Sequence, residues 1–276
     1  MTMNRFSCSF IVFLCFLLFV PAIHAKEIKT FAETKAKISL GYFLPRMSTD
    51  VRLDPANPAL PDGNLIGIED ELGLDKDLFV ARLDGYYRLG RKHRLQFGYF
   101  TFKRDGTGAI DRDLTYGDHT FEVDARVESD IENSIAVIGY MYSLHQTDRF
   151  EVSGTFGIHR LAIKTRLKGD TTGGSFEISD TNAKGPLPLI GIDLDYAITP
   201  RWIMSFRGMA FSVELDTFSG RLTDFKGSLE YFFLNNLGVG FGINRFDMKV
   251  DYSDDGRDAS LDWGYSGLQL YLTARL

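Results

Sequence analysis

The stretch SGLQLYLTARL, Ser266–Leu276, decides how the rest of the sequence is read. Leu268, Leu270, Leu272, Ala274 and Leu276 take every second place, and Gln269, Tyr271, Thr273 and Arg275 lie between them. Side chains of a β-strand alternate between two faces, so this segment has one apolar and one polar face.

The same period of two recurs toward the N-terminus. Ala36–Leu44 sets Ile38, Leu40 and Tyr42 against Lys37; Leu78–Leu89 sets Phe79, Ala81, Leu83, Tyr87 and Leu89 against Arg82, Asp84 and Arg88. Arg94–Phe102, Arg149–His159, Pro188–Ile198, Arg201–Phe211, Asp224–Phe233 and Leu237–Phe246 alternate likewise, whereas Asn133–Leu144 is apolar on both faces. With the closing stretch this predicts ten strands, eight or twelve being reached by merging or splitting segments. The links alternate in length. Gly90–His93, His145–Asp148, Thr199–Pro200 and Asn235–Asn236 are short; Arg46–Asp77, Asp105–Asp130, Gly169–Pro186 and Tyr252–Ala259 are longer and polar, and a tight hairpin near Asp216–Thr223 has Ser219-Gly220 as its expected tip. Short turns at one end and long loops at the other are the layout of a transmembrane β-barrel.

Residues 1–25 read as a secretory signal peptide: one Arg, an apolar run from Phe10 to Val20, Pro21, and a small residue, Ala25, before Lys26. That run is short for a membrane helix. Residues 26–276 form the barrel domain. Both cysteines, Cys8 and Cys15, lie in the leader, so the mature chain has no disulfide. The net charge of -6 argues against nucleic acid as a partner, and the 23 Phe, 12 Tyr and 27 Gly suit strands joined by turns.

A soluble sandwich or lipocalin-like barrel shows the same alternation with its apolar face inward. Three features select the membrane alternative, with apolar residues facing lipid. One is export without cysteines. The second is an aromatic girdle near the strand ends: Tyr42, Phe43, Tyr86, Tyr87, Tyr140, Tyr142, Trp202, Tyr231, Phe232 and Phe233. The third is the terminus, where Ser266-Gly267-x-x-Leu270-x-Leu272 resembles a barrel-assembly signal. Gly267, Leu270, Leu272 and Leu276 are its candidate residues, and the final Leu replaces the aromatic with which many such barrels end. The fold class is therefore all-β, a closed antiparallel transmembrane β-barrel. Closure pairs every backbone group that hydrocarbon cannot satisfy.

Ile68–Asp77 (IEDELGLDKD), Leu83–Phe100 (LDGYYRLGRKHRLQFGYF) and Pro186–Trp202 (PLPLIGIDLDYAITPRW) resemble a group of small proteobacterial outer-membrane barrels. The likeness implies an outer-membrane barrel of about this size and transfers no catalytic or ligand residue.

In this phasing the lumen receives Lys37, Arg82, Asp84, Arg88, Arg94, Glu151, His159, Asp193, Asp195, Arg207, Lys226, Glu230 and Arg275. Two roles are open to them: a structural ion-pair core, or a narrow channel gated by that network. A porin-like slow passage of small solutes, an envelope structural role and adhesion through the long loops are the functional alternatives. An outer-membrane hydrolase would centre on His119 with Asp111, Asp113 and Asp118, but no known hydrolase motif accompanies them, and the expectation is no enzyme. No cofactor is expected; Glu69-Asp70-Glu71 with Asp75 and Asp77, and Asp251–Asp258, offer carboxylates to Ca²⁺ or Mg²⁺, but the second stretch lacks the full EF-hand loop ending in Glu, and both read as a solvated acidic rim with no metal. The expected partners are outer-membrane lipid and lipopolysaccharide, periplasmic chaperones and the barrel-assembly machinery, for a monomer in the outer membrane with both termini in the periplasm.

Overall fold

The computed structural model describes residues 33–276 except 56, 58, 60, 110–111, 117–118, 122–125, 172–173, 180–182 and 255–256; the leader lies outside the described residues. Ten long strands form the wall: β1 (Ala36–Leu53), β2 (Val80–Arg88), β3 (His93–Ala109), β4 (Arg126–Gln146) and β5 (Phe150–Thr171). Then follow β6 (Ala183–Ala197), β7 (Trp202–Glu214), β8 (Phe218–Tyr231), β9 (Leu237–Asp254) and β10 (Arg257–Arg275). Each pairs antiparallel with the next. β10 returns to β1 from Lys37↔Arg275 to Leu53↔Ala259, which closes the cylinder. Ser266–Leu276 thus forms part of the closing seam. Its last amide, Leu276 N–H, donates to Ala36 O at 2.9 Å.

The faces divide as the period of two requires. Ile38, Leu40, Leu95, Ile138, Ile192, Phe241 and Leu270 are exposed on the outer wall, while Ser39, Arg94, Thr155, Asp193 and Gln269 are buried inside. An apolar belt outside and polar groups within is the construction of a transmembrane barrel. Prolines 186 and 188 face β5 where the ladder to β7 has already ended at Ile190, so their missing N–H groups cost the sheet nothing on that side.

Three details differ from the sequence reading. Phe43 and Phe232 are buried inside and Tyr86 lines the interior, so they are not girdle residues. Phe43 and Tyr86 each adjoin an outward aromatic (Tyr42, Tyr87), and adjacent residues of a strand cannot share a face; Phe232 follows the end of β8 and turns inward beneath Arg275. The hairpin tip is Leu215–Thr217, closed by Leu215 N–H to Phe218 O at 2.7 Å; Ser219 and Gly220 already pair with Glu214 and Val213. The doubly apolar Asn133–Leu144 is explained by Ile135 and Val137, which point into an apolar interior layer, and by Met141, which is buried against the interior cavity.

The strands outrun the apolar belt at the long-loop end. β4 has 21 residues and β5 has 22, whereas β2 has 9. Above Val80 the short β2 leaves β1 and β3 without a strand between them. Residues 66–78 fill this notch. Ile66 and Gly67 pair with Val51 and Asp50, Asp77 bridges to Arg46, and Leu74 bridges to Gly106 on β3. A short helix, Ile68–Glu71, is followed by Gly73 at φ 66°, a left-handed conformation that suits glycine. This turn brings the segment against Gly106 and Gly108, where a Cβ would collide with the backbone of Gly73 and Leu72.

Candidate functional site

The interior is filled in three layers, and all thirteen charged residues predicted for the lumen lie on its inner face. Nearest the short turns, Arg88 donates from both terminal nitrogens to Glu151, at 2.8 and 3.2 Å. Ser143 also donates to Glu151. Arg94 lies 3.5 Å from the same carboxylate and donates to Asp195 at 3.0 Å and to Ser153 at 2.7 Å. Lys37 pairs with Glu230 at 3.0 Å, and Tyr271 donates its hydroxyl to Glu230 at 3.1 Å. Arg275 is not in an ion pair with these: its guanidinium stacks 3.8 Å above the Phe232 ring and donates to Asn235 O at 2.9 Å.

One step toward the long loops, Asp84 accepts from Arg82 at 2.9 Å and from Lys226 at 3.0 Å. Arg207 and Thr155 both donate to Asp193. Arg82 continues to Asn244 at 2.7 Å, and Asn244 donates to Asp224 at 2.7 Å. His159 Nε2 lies 3.6 Å from Asp224. Asp84, Lys226, Asp193 and Arg207, with Lys37, Arg94, Asp195 and Glu230, line a cavity of about 90 Å³ that has Gln96 in its wall. Opposite charges alternate around it, as expected where an unpaired buried charge is costly.

The second layer was not anticipated. Phe43, Phe100, Phe102, Phe246, Trp263 and Tyr265 form a contiguous aromatic block across the lumen, with Phe43–Phe100 centroids 5.9 Å apart and Phe246–Tyr265 stacked at 5.4 Å. Each such contact adds about 0.5–1.5 kcal/mol beyond burial. The Arg82 guanidinium sits 4.5 Å from the Phe100 ring, joining the charged layer to the apolar one. The signal was in the parity: Arg94, Phe100 and Phe102 share one face of β3, and Asn244, Phe246 and Met248 share one face of β9.

The third layer is the notch segment. Ile66, Leu72 and Leu74 pack on Val127 and Ile131. Glu69 is buried, accepts from Arg104 and from Thr49 N–H at 2.8 Å, and so pins the helix to the wall. The solvated-rim reading therefore fails at Glu69, while Asp70 stays exposed. Glu69, Asp70 and Glu71 each take a different basic partner: Arg104, Lys76 and Arg112. Farther out, Asp54 accepts from Gly63 N–H, Asp258 N–H and Arg52. Burial opposes its charge, but the two amides and Arg52 outweigh this and hold its carboxyl below the usual range. Along the outer face of β3–β5, Lys103 pairs with Glu132 at 3.0 Å and Lys164 approaches the same carboxylate at 3.5 Å.

The other mature histidines stand apart from the long-loop rim. His93 contacts Tyr140 and His145 packs on Phe150, both at the short-turn end, and His159 is interior. Asp111, Asp118 and the His119 side chain lie outside the described residues. Gly267, Leu270 and Leu272 stand in the closing seam, opposite Pro45, Tyr42 and Leu40.

No family model matches the sequence, and no curated protein matches it. Among solved structures the chain is similar to the outer-membrane protease OmpT from Escherichia coli. The TM-score is 0.54 at 9% identity, covering 91% of this chain and 99% of that one. The fold is that of an outer-membrane β-barrel. Weaker likenesses are to the outer membrane protein OprG from Pseudomonas aeruginosa, with TM-score 0.37, 12% identity and coverage of 87% and 95%. Another is to the attachment invasion locus protein Ail of Yersinia pestis, with TM-score 0.29, 10% identity and coverage of 86% and 98%. At such identities the likeness concerns the fold alone. The OmpT fold match agrees with the expected class of Gram-negative outer-membrane barrels.

Proposed function

We propose that this chain is an outer-membrane envelope protein whose sealed barrel acts as a structural anchor and not as an open pore. One observation carries the reading: among the described residues the inner face is occupied by charge pairs around a cavity of about 90 Å³, then by the aromatic block, then by the Glu69–Arg104-pinned segment. The ion-pair layer stiffens the cylinder, and the apolar belt holds it in lipid. The protein is a monomer, exported by the cleavable leader 1–25 and inserted by the barrel-assembly machinery through its last strand. Outer-membrane lipid and lipopolysaccharide surround it. It is not an enzyme, and its narrower kinship is with the small proteobacterial barrels that Ile68–Asp77 and Leu83–Phe100 resemble.

Planar-bilayer recording of the refolded chain tests this. The expected trace has no discrete conductance, and Asp193→Ala leaves it flat because the aromatic block still seals the tube. Unitary steps from the unsubstituted protein would establish the slow-pore reading. That second reading is supported by the polar cavity, and passage through it requires both Phe100 and the Glu69 segment to move.

A further inference from the structure

The short-turn rim differs in charge from the chain as a whole. The protein carries -6 overall, yet the described residues of this rim place Lys35, Arg91, Lys92, Arg149 and Arg201 against only Glu33 and Asp148, all exposed. Two of the turns also open on an apolar residue: Leu89 precedes Arg91 and Lys92, and Ile198 precedes Arg201, both exposed, while the exposed Leu144 ends the outer face of β4 before Arg149. Short turns that met only water would have little reason to present leucine and isoleucine beside their cations.

The aromatic neighbours fix the level. Lys92 Nζ lies 5.8 Å from the centroid of the outward Tyr142, Arg201 immediately precedes the outward Trp202, and Trp202 packs on Tyr231 at 4.8 Å. Trp and Tyr at the edge of an apolar belt lie at the headgroup level of a bilayer. Cations at that depth stand beside lipid phosphates.

We infer that the periplasmic rim is a binding surface for anionic glycerophospholipid headgroups of the inner leaflet, held by Arg91, Lys92, Arg149 and Arg201. The exposed aliphatic residues of the turns seat the rim in the interface, and the four cations take the phosphodiesters. A zwitterionic headgroup balances the phosphate with its own ammonium; a net-anionic one leaves that charge to the protein. Each basic residue near an anionic surface raises the local preference about fivefold. The inference rests on the membrane-spanning reading above.

The test uses the full mature chain in vesicles of phosphatidylcholine mixed with phosphatidylglycerol, and reads the association of spin-labelled forms of each lipid with the barrel. The unsubstituted protein is expected to prefer the anionic label several-fold, and salt is expected to weaken the preference. R91Q/K92Q/R149Q/R201Q is expected to abolish it, while removal of as many charges at the other rim, as R221Q/R245Q/K249Q/K103Q, leaves it in place. Should the fourfold variant fail to fold, R149Q/R201Q alone is expected to reduce the preference. Equal association of both lipids with the unsubstituted barrel, or a preference untouched by the rim substitutions, overturns the inference while the barrel reading stands. A chain that inserts into neither vesicle overturns both.

Discussion

Arg88 and Glu151 face each other across the interior in a two-pronged ion pair, with Glu151 wholly excluded from solvent and Arg88 3% exposed at its side chain. The pair links β2 to β5, strands that are not neighbours in the sheet, so it braces the cylinder across its lumen. Glu151 also serves Ser143 and lies near Arg94.

Removing that carboxylate leaves the buried Arg88 without its ion-pair partner, while Arg94 keeps Asp195. Glu151→Ala is expected to lower barrel stability by about 3–5 kcal/mol, whereas replacing Arg88 and Glu151 together by leucine costs much less. Urea unfolding followed by tryptophan fluorescence measures both. Equal losses in the single and double variants would show that the pair is not what braces the wall.

The Glu69 latch is local. Arg104→Ala is expected to free residues 54–79 while leaving the ten-strand cylinder closed, with a local loss of roughly 3 kcal/mol. Gly73→Val acts on the same segment through its backbone, because φ 66° strains a β-branched residue. Limited proteolysis reads the release as new cleavage in this segment, with gel mobility of the folded barrel unchanged.

Gly267 has a structural duty apart from any assembly tag. A Cβ there would lie 2.2 Å from Leu44 O, across the closing seam. Gly267→Val is therefore expected to block closure even with the terminal pattern kept, whereas Leu276→Phe leaves closure intact. Heat-modifiable electrophoretic mobility separates the two.

Acid is expected to loosen the loop contacts of Asp54. The folded pKa of Asp54 lies below its unfolded value, so its stabilisation is present above the ordinary carboxylate range and is lost as pH falls through the folded value. Hydrogen exchange at the Gly63 and Asp258 amides, corrected for intrinsic rates, is expected to quicken as pH drops below about 4. In Asp54→Ala the same amides exchange fast at every pH.

Particular residues show how far the sequence could be read. The period of two placed Leu268, Leu270 and the thirteen lumen charges on their correct faces, because that period is a property of the backbone. Aromatics at strand ends were assigned outward by residue type, and this failed at Phe43, Tyr86 and Phe232, where parity would have placed them inside. Asp224 shares a face with Lys226 and belongs to the same interior set, though it opens its segment next to a turn-like stretch. Glu69 could not be read from its neighbours: its burial depends on the short β2, which opens the notch, and on Arg104, 35 residues away. Long-range pairing of this kind has no local pattern.

The two tryptophans offer the most direct test of which face meets lipid. Trp202 is 40% exposed on the outer wall and Trp263 is 2% exposed within the aromatic block. In vesicles containing brominated lipid, the Trp263→Phe protein, which keeps Trp202, is expected to lose most of its fluorescence. The Trp202→Phe protein, which keeps Trp263, is expected to lose almost none. Strong quenching of Trp263 with Trp202 unaffected would contradict the account.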